Sequence, residues 1–587
     1  MDGQPTRQWG LTTAISTALP TEKELELNGQ LIDELKRQNN FESQEATDRR
    51  VEVLNRFQKV AEEFVRVVGK AKGLSQSVID NAGGKIFTFG SYRLGVYGPG
   101  SDIDTLIVAP KHVVMADFFT HFPLILERMS SPGDIEELTS VPDAHVPIIK
   151  IEYSGISIDL IFVSLALSAI PLNLDLTDKS LLRGLDDKGM RSVNGTRVTD
   201  EVLSLVPQIK TFRHATRTIK LWAQRRGVYG NVFGFPGGIA WAMLVARICQ
   251  LYPMASGATV VSKFFPLMAS WPWPRPVMLR NIEEGPFGLK VWNPQLYGSD
   301  RQHLMPIITP AFPSMCATHN ITHSTKSIII RELERGKDII NGIFAGKKAW
   351  KDLFERHSFF TTSYKYYLSV VSASRTKEAQ NRWSGWVQSK VRILVKGIDE
   401  SEAGVQCAHP FVKAFERIHR CKDESEVERV VQGSQEFKIT ESPSENGIEA
   451  SNGNQTTATE GEEAKADSSA TNGEEANGDG TQIIYTTTHY VGIELQEGAK
   501  QLDISFPVAE FKRVVTEWKD YDPDMNSIRV VHTRNYDLPA DLFEPGETRP
   551  TRTKKARTHK TAKRSFTETG MEVREPQAMR TTLPFAV

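Results

Sequence analysis

Two aspartates one residue apart, Ser101-Asp102-Ile103-Asp104, constrain this chain more than any other feature. They lead into the apolar run Leu106-Ile107-Val108, which reads as a strand. Side chains alternate in direction along a strand, so Asp102 and Asp104 share a face. Two like charges held that close repel unless a cation lies between them. Mg²⁺ suits the place, being hard, oxygen-seeking and usually shared between carboxylates and substrate phosphates. Phe89-Gly90-Ser91 precedes the pair, and a Gly-Ser turn can present backbone N–H groups to a nucleotide triphosphate. Asp-x-Asp alone also occurs in turns and on solvated strand faces, so the pair needs support from elsewhere.

That support is Asp159. Residues 148–153, a turn at Ser154-Gly155 and residues 156–163 read as a hairpin whose second arm is apolar around Asp159. A lone carboxylate in a core strand is costly unless paired or metal-bound. Three acids on adjacent strands suit two metal ions about 3.5–4 Å apart, which can activate a hydroxyl and stabilise a leaving pyrophosphate.

A chain of 587 residues exceeds what one core can organise and implies about three domains. The net charge of −1 does not mark a nucleic-acid partner, but the average conceals an acidic segment at 441–482 and a basic one at 549–564. Four cysteines without a Cys-x-x-Cys pair point to reduced thiols in an intracellular protein. Cys407-Ala-His409 and His419-Arg-Cys421 have one-residue gaps unlike the usual zinc spacings, so ordinary buried thiols are expected. No basic segment followed by an apolar stretch opens the chain, and no window is apolar enough to span a membrane, so no membrane partner is expected.

The pattern predicts an α+β multidomain chain. A loose arm occupies 1–20. A catalytic α/β palm follows at 21–207, its N-terminal helices free to pack on the middle domain. A helical middle domain spans 208–356. An open α+β sandwich shaped like an RNA-recognition module spans 357–540, interrupted by a disordered acidic insertion at 441–482. A basic disordered tail fills 541–587. Thr21-Glu22-Lys23-Glu24 matches a capping box. In the helix predicted at 208–224, Ile209, Phe212, Ile219 and Trp222 form an apolar stripe, with Arg213, Arg217 and Lys220 facing elsewhere. Trp271-Pro272-Trp273-Pro274-Arg275-Pro276 reads as a rigid internal turn, and residues 359–374 as β-rich. The aromatic stacking signature of RNA-recognition modules is absent from the C-terminal sandwich.

The spacing of Gly90-Ser91, Asp102, Asp104 and Asp159 resembles the DNA polymerase β-type nucleotidyltransferase superfamily. The longer strings at 89–104 and 229–243 resemble the eukaryotic nuclear poly(A) polymerase family. The resemblance covers about residues 10–435 and 481–540. It implies a polymerase β-like palm and transfer of AMP from ATP to an RNA 3′ end, with Asp102, Asp104 and Asp159 as catalytic residues and ligands of two Mg²⁺ or Mn²⁺ ions. Asp159 would bind only the ion that activates the 3′-hydroxyl. Phe89, Gly90, Ser91, Ile103, Lys220, Tyr229, Asn231, Gly238 and Ile239 would contact ATP, and Val146 and Lys150 the RNA. The resemblance further implies a monomeric enzyme in the nucleus, tethered to a cleavage and polyadenylation factor complex. Other superfamily members, such as a CCA-adding enzyme, would share the three acids. So would a non-catalytic RNA-binding scaffold, although such proteins usually lose a metal ligand.

Overall fold

A glycine-bearing turn sets the register of the palm. The structure, a computed structural model, describes residues 8–142, 144–285, 288–439, 481–499 and 502–552. Ser154 and Gly155 both take positive φ, 51° and 71°, as a two-residue hairpin of type I′ requires. They join β4 (Ile148–Tyr153) to β5 (Ile156–Leu165) as the sequence predicts. The palm also holds α2 (Gln44–Ala71), α3 (Gln76–Asn81), β1 (Lys85–Thr88), α4 (Gly90–Leu94), β2 (Ile103–Pro110), α5 (Met115–Met129), β3 (Ile135–Val141) and α6 (Asp187–Ser204). Its sheet runs β1-β2-β5-β4-β3, with β2 and β5 parallel and the other pairs antiparallel. One face is sealed by an aromatic core. Phe64 of α2 meets Phe118 and Phe122 of α5 edge-on, and Phe118 stacks on Phe162 of β5 with centroids 5.2 Å apart.

The first helix, α1 (Glu22–Arg37), has both capping-box bonds: Glu24 N donates to Thr21 Oγ1 and Thr21 N to Glu24 Oε2. Its buried Leu27, Leu31 and Leu35 join the core of the middle domain, and Trp350 Nε1 donates to Leu27 O. The loose arm expected at 1–20 is docked over part of its length. Ile15 N donates to Leu251 O, and Arg247 to Thr12 Oγ1. Residues 1–7 lie outside the described residues.

The middle domain consists of α7 (Ile209–Arg225), α8 (Gly238–Leu251), α9 (Gly257–Ala269), α10 (Gly298–Arg301) and α11 (His323–Phe344). Trp222 of α7 is fully buried and meets Trp241 and Phe265 edge-on. One sequence reading of α7 is corrected: Ile209 is 44% exposed and stands outside the stripe's core. Arg217 faces away from the stripe as expected, but is buried against backbone carbonyls of the palm. The proline-rich stretch is an internal turn, closed by Trp271 Nε1 donating to Arg275 O.

The C-terminal domain contains β6 (Tyr366–Ser374), α12 (Lys377–Asp399), β7 (Val405–Pro410), β8 (Phe415–Cys421), α13 (Glu424–Val431), β9 (Gln482–Leu495), α14 (Ser505–Thr516) and β10 (Asn526–Arg534). The sheet order is β10-β6-β9-β7, and β8 also pairs with β9. Residues 359–363, expected as strand, instead form a wide helical turn whose Phe359 and Phe360 fill an aromatic cluster. The chain also stays ordered past the expected boundary at 541. Asp541 is gripped by Arg417 and Lys438, Leu538 and Leu542 are buried, and Arg549 donates to Tyr536 O. Of the acidic insertion expected at 441–482, residues 441–480 lie outside the described residues, as does the tail from 553, whereas Gln482 already opens β9 and so ends the insertion earlier than expected. All four cysteines are free and buried. His409 Nδ1 pairs with Tyr364 Oη and His419 Nε2 with Thr486 Oγ1. No described helix is long and apolar enough to cross a membrane.

Candidate active site

Parallel pairing of β2 with β5 sets Asp104 directly beside Asp159. Asp102 is the last residue before β2 and turns onto the same patch. Ligand oxygens of the three carboxylates all lie within 4.8 Å of one another, the only such acid or histidine cluster among the described residues. In the β4–β5 ladder Lys150 stands opposite Asp159, its Nζ 3.8 Å from Oδ1. The protein leaves this charge poorly compensated. Burial, and then the charges of Asp102 and Asp159, push the Asp104 carboxyl up to about 8. Asp159 is also raised, chiefly by burial, although Lys150 opposes the shift. A divalent cation would relieve that repulsion, so the residues present fit one.

The Gly90-Ser91 turn is built against the same carboxylate. Gly90 has φ +62°, and a Cβ on it would lie 2.0 Å from Asp104 Oδ2. Phe89 N donates to Asp104 O at 3.0 Å, which ties the turn to β2. Behind it, the Phe89 ring packs on Gly195, and Thr199 Oγ1 accepts a long bond of 3.4 Å from Gly90 N. Ser91 lies in the first turn of α4 and its carbonyl accepts Val96 N. The backing helix α6 is absent from the sequence reading. Its signal was Asp186, whose side chain caps Gly189 N, but the residues after it alternate small and polar types with little apolar periodicity.

The middle domain closes the other side. Burial lowers the Lys220 ammonium, while the charges of Asp102 and Asp104 raise it. Burial and the same two carboxylates push the Tyr229 hydroxyl up to about 12. Both residues therefore sit within the field of the acids. Gly238, the first residue of α8, leaves room for Tyr229, whose Oη would lie 2.6 Å from a Cβ there. Ile239 is half-buried beside it on the middle-domain core. Asn231 opens a short turn two residues beyond Tyr229. Its carbonyl accepts from Asn320 Nδ2, and its Oδ1 is buried without a partner among the described residues.

The Ile103 side chain does not face the site. It is fully buried in the palm core, because alternation along β2 turns its side chain to the face opposite Asp104. Val146 lies two residues ahead of β4 and packs on a small cluster with Phe89 and Ile148, while Lys150 projects from β4 with its side chain 52% exposed.

With this geometry in view, the chain was compared with known proteins. The poly(A) polymerase nucleotidyltransferase domain matches residues 10–206, the poly(A) polymerase central domain 211–356, and the poly(A) polymerase predicted RNA binding domain 358–552. "Poly(A) polymerase pla1" of Schizosaccharomyces pombe is 48% identical over 562 residues, covering 95% of this chain and 97% of that protein. "Poly(A) polymerase PAPa" of Candida albicans is 49% identical over 552 residues, covering 92% and 94%. Among solved structures, a cytoplasmic RNA terminal U-transferase aligns over 57% of this chain and 99% of its own, at 15% identity and a TM-score of 0.39.

Proposed function

The chain belongs to the poly(A) polymerase family, and on that premise we propose how its residues divide the work of the reaction. The protein is a template-independent polynucleotide adenylyltransferase, extending an RNA 3′ end with AMP from ATP and releasing pyrophosphate. The observation that carries the catalytic assignment is the convergence of Asp102, Asp104 and Asp159 from one residue before β2 and from the two parallel strands themselves.

Asp102 and Asp104 would hold two divalent ions, Mg²⁺ or Mn²⁺, and Asp159 one of them. When bound, the ions supply charge neutralisation at the transferring phosphoryl group and at the leaving pyrophosphate. The protein's own groups do the rest. Asp159, raised by burial, is placed to accept the proton of the attacking 3′-hydroxyl. Gly90 and Ser91 offer backbone N–H groups and a hydroxyl to the triphosphate, and Lys220 adds a cation from the facing domain. Tyr229 and Ile239 provide the wall against which the nucleoside would rest, with Asn231 beside them. Lys150, exposed beside Asp159, and Val146 would contact the RNA end. Such positioning, rather than new covalent chemistry, accounts for most phosphoryl-transfer catalysis.

Adenine selection is tested by primer extension on the purified chain, supplying one of the four nucleotides at a time with Mg²⁺ or Mn²⁺. ATP is expected to be used and the others to be extended at least about tenfold less. Extension with CTP as readily as ATP would favour a CCA-adding activity. Absence of metal-dependent AMP incorporation would favour a non-catalytic scaffold.

The chain shows no motif for reading base edges, which supports recruitment to its RNA by a cleavage and polyadenylation complex in the nucleus. The basic run at 549–564 supports import. Arg549 packs on the C-terminal domain, so an informative deletion starts at residue 553. That deletion is expected to leave primer extension intact and shift a tagged protein toward the cytoplasm. Unchanged nuclear retention would remove the import role.

A further inference from the structure

The helix that carries Lys220 also grips the far end of the phosphate turn. From α7, Arg217 Nη1 donates to Asn40 O and Tyr97 O, and its Nη2 donates to Gly95 O at 3.2 Å. One helical turn earlier, Arg213 Nε donates to Leu94 O at 2.9 Å and lies under Gly95, where a Cβ would meet it at 2.4 Å. Leu94 and Gly95 end α4, whose other end is Gly90 and Ser91. Arg217 is 7% exposed, and its guanidinium stacks on the Phe41 ring at 4.7 Å from the centroid. None of its hydrogen bonds among the described residues goes to a carboxylate.

This arrangement is costly for stability alone. A buried guanidinium loses hydration, and backbone carbonyls compensate it less well than an acid would. What it supplies is geometry. The rigid planar fork bonds several fixed acceptors at once, which a lysine cannot do. A five-residue helix has little persistence of its own, so its orientation depends on what holds its ends. Arg213, Arg217 and Lys220 follow one another at helical spacing, so the helix that aims a cation at the acids also sets the turn beside them.

We propose that Arg217, assisted by Arg213, is a positioning residue for nucleotide binding, locking the phosphate turn of the palm to the middle-domain helix that bears Lys220. The proposal rests on the reading of Gly90, Ser91 and Lys220 as the triphosphate site. Neither arginine needs to touch the nucleotide. Losing the fork would let α4 reorient, so that nucleotide binding suffers more than the chemical step.

The test compares Arg217→Lys, Arg213→Met and Lys220→Met by steady-state primer extension, by calorimetric binding of inorganic tripolyphosphate, and by thermal melting. Arg217→Lys is expected to raise KM for ATP and weaken tripolyphosphate binding about tenfold, with kcat changed less than about threefold. Arg213→Met is expected to move both in the same direction by a smaller factor, and it carries the test if Arg217→Lys does not fold. A folded Arg217→Lys enzyme with KM and tripolyphosphate affinity within about twofold of the parent overturns the proposal, provided Lys220→Met is impaired. A lowered melting temperature and kcat at unchanged KM also overturns it, since that is the mark of a structural role. If Lys220→Met binds tripolyphosphate normally, the triphosphate-site reading itself fails, and the proposal with it.

Discussion

Asp104→Asn will lose adenylate transfer by about three orders of magnitude or more, yet its metal-free form will melt higher than the parent near pH 8. Both effects come from one carboxylate. Burial and the charges of Asp102 and Asp159 push Asp104 up to about 8, against an ordinary value of 3.8. The folded protein therefore holds this proton more tightly than the unfolded chain does. The stabilisation from that proton is full below the unfolded value and is lost as pH rises through about 8. The metal-free parent should lose stability across that window, and the neutral amide removes this part of the slope. Divalent ions compete with the same proton, so the parent's apparent affinity for Mg²⁺ or Mn²⁺ should strengthen as pH rises toward about 8. Thermal melts from about pH 6 to about pH 9, with and without metal, check all three statements. Equal stabilisation of parent and variant by metal would remove Asp104 from the ligand set.

Gly90→Ala, a single added methyl group, should cost about a hundredfold in kcat/KM. The new Cβ would lie 2.0 Å from Asp104 Oδ2, too close for any contact, so either the carboxylate or the turn must move. Either movement shifts a reacting group by the order of an ångström. The positive φ of 62° adds backbone strain of about 1–2 kcal/mol. Gly155→Ala separates the two effects. Gly155 has φ +71° with nothing within 4 Å of a Cβ, so it carries similar strain without the collision. It should lower the melting temperature while leaving kcat/KM within about twofold. Similar losses of activity in the two variants would assign the Gly90 effect to backbone strain.

The parts of the site legible in the sequence are those with local signals. Asp102 and Asp104 stand one residue apart at the start of an apolar strand, and Asp159 follows a turn signal within a hairpin. Each pattern is set by neighbours within a few residues, and the hairpin and the acid cluster appear where those patterns put them. The capping box of α1 is local in the same way.

Elements without such signals were missed. The strand β8 interleaves Glu416, Arg417 and Arg420 with apolar residues, and its Arg417 is buried only because Asp541, far along the chain, supplies the counter-charge. The resemblance implies an ATP contact at Ile103, but alternation along the strand turns its side chain into the palm core, away from Asp104.

The sequence by itself determined the chemistry: the acids, their spacing, the turn before them, and the long strings that identify the family. Tertiary structure alone decided how that chemistry is held. The contacts that aim it join residues more than a hundred positions apart, as when Arg213 and Arg217 of the middle domain grip the carbonyls of Leu94, Gly95 and Tyr97 in the palm. A backbone carbonyl has the same chemistry at every residue, so nothing in the sequence marks which carbonyls a distant guanidinium will find. That choice is made only when the two domains pack.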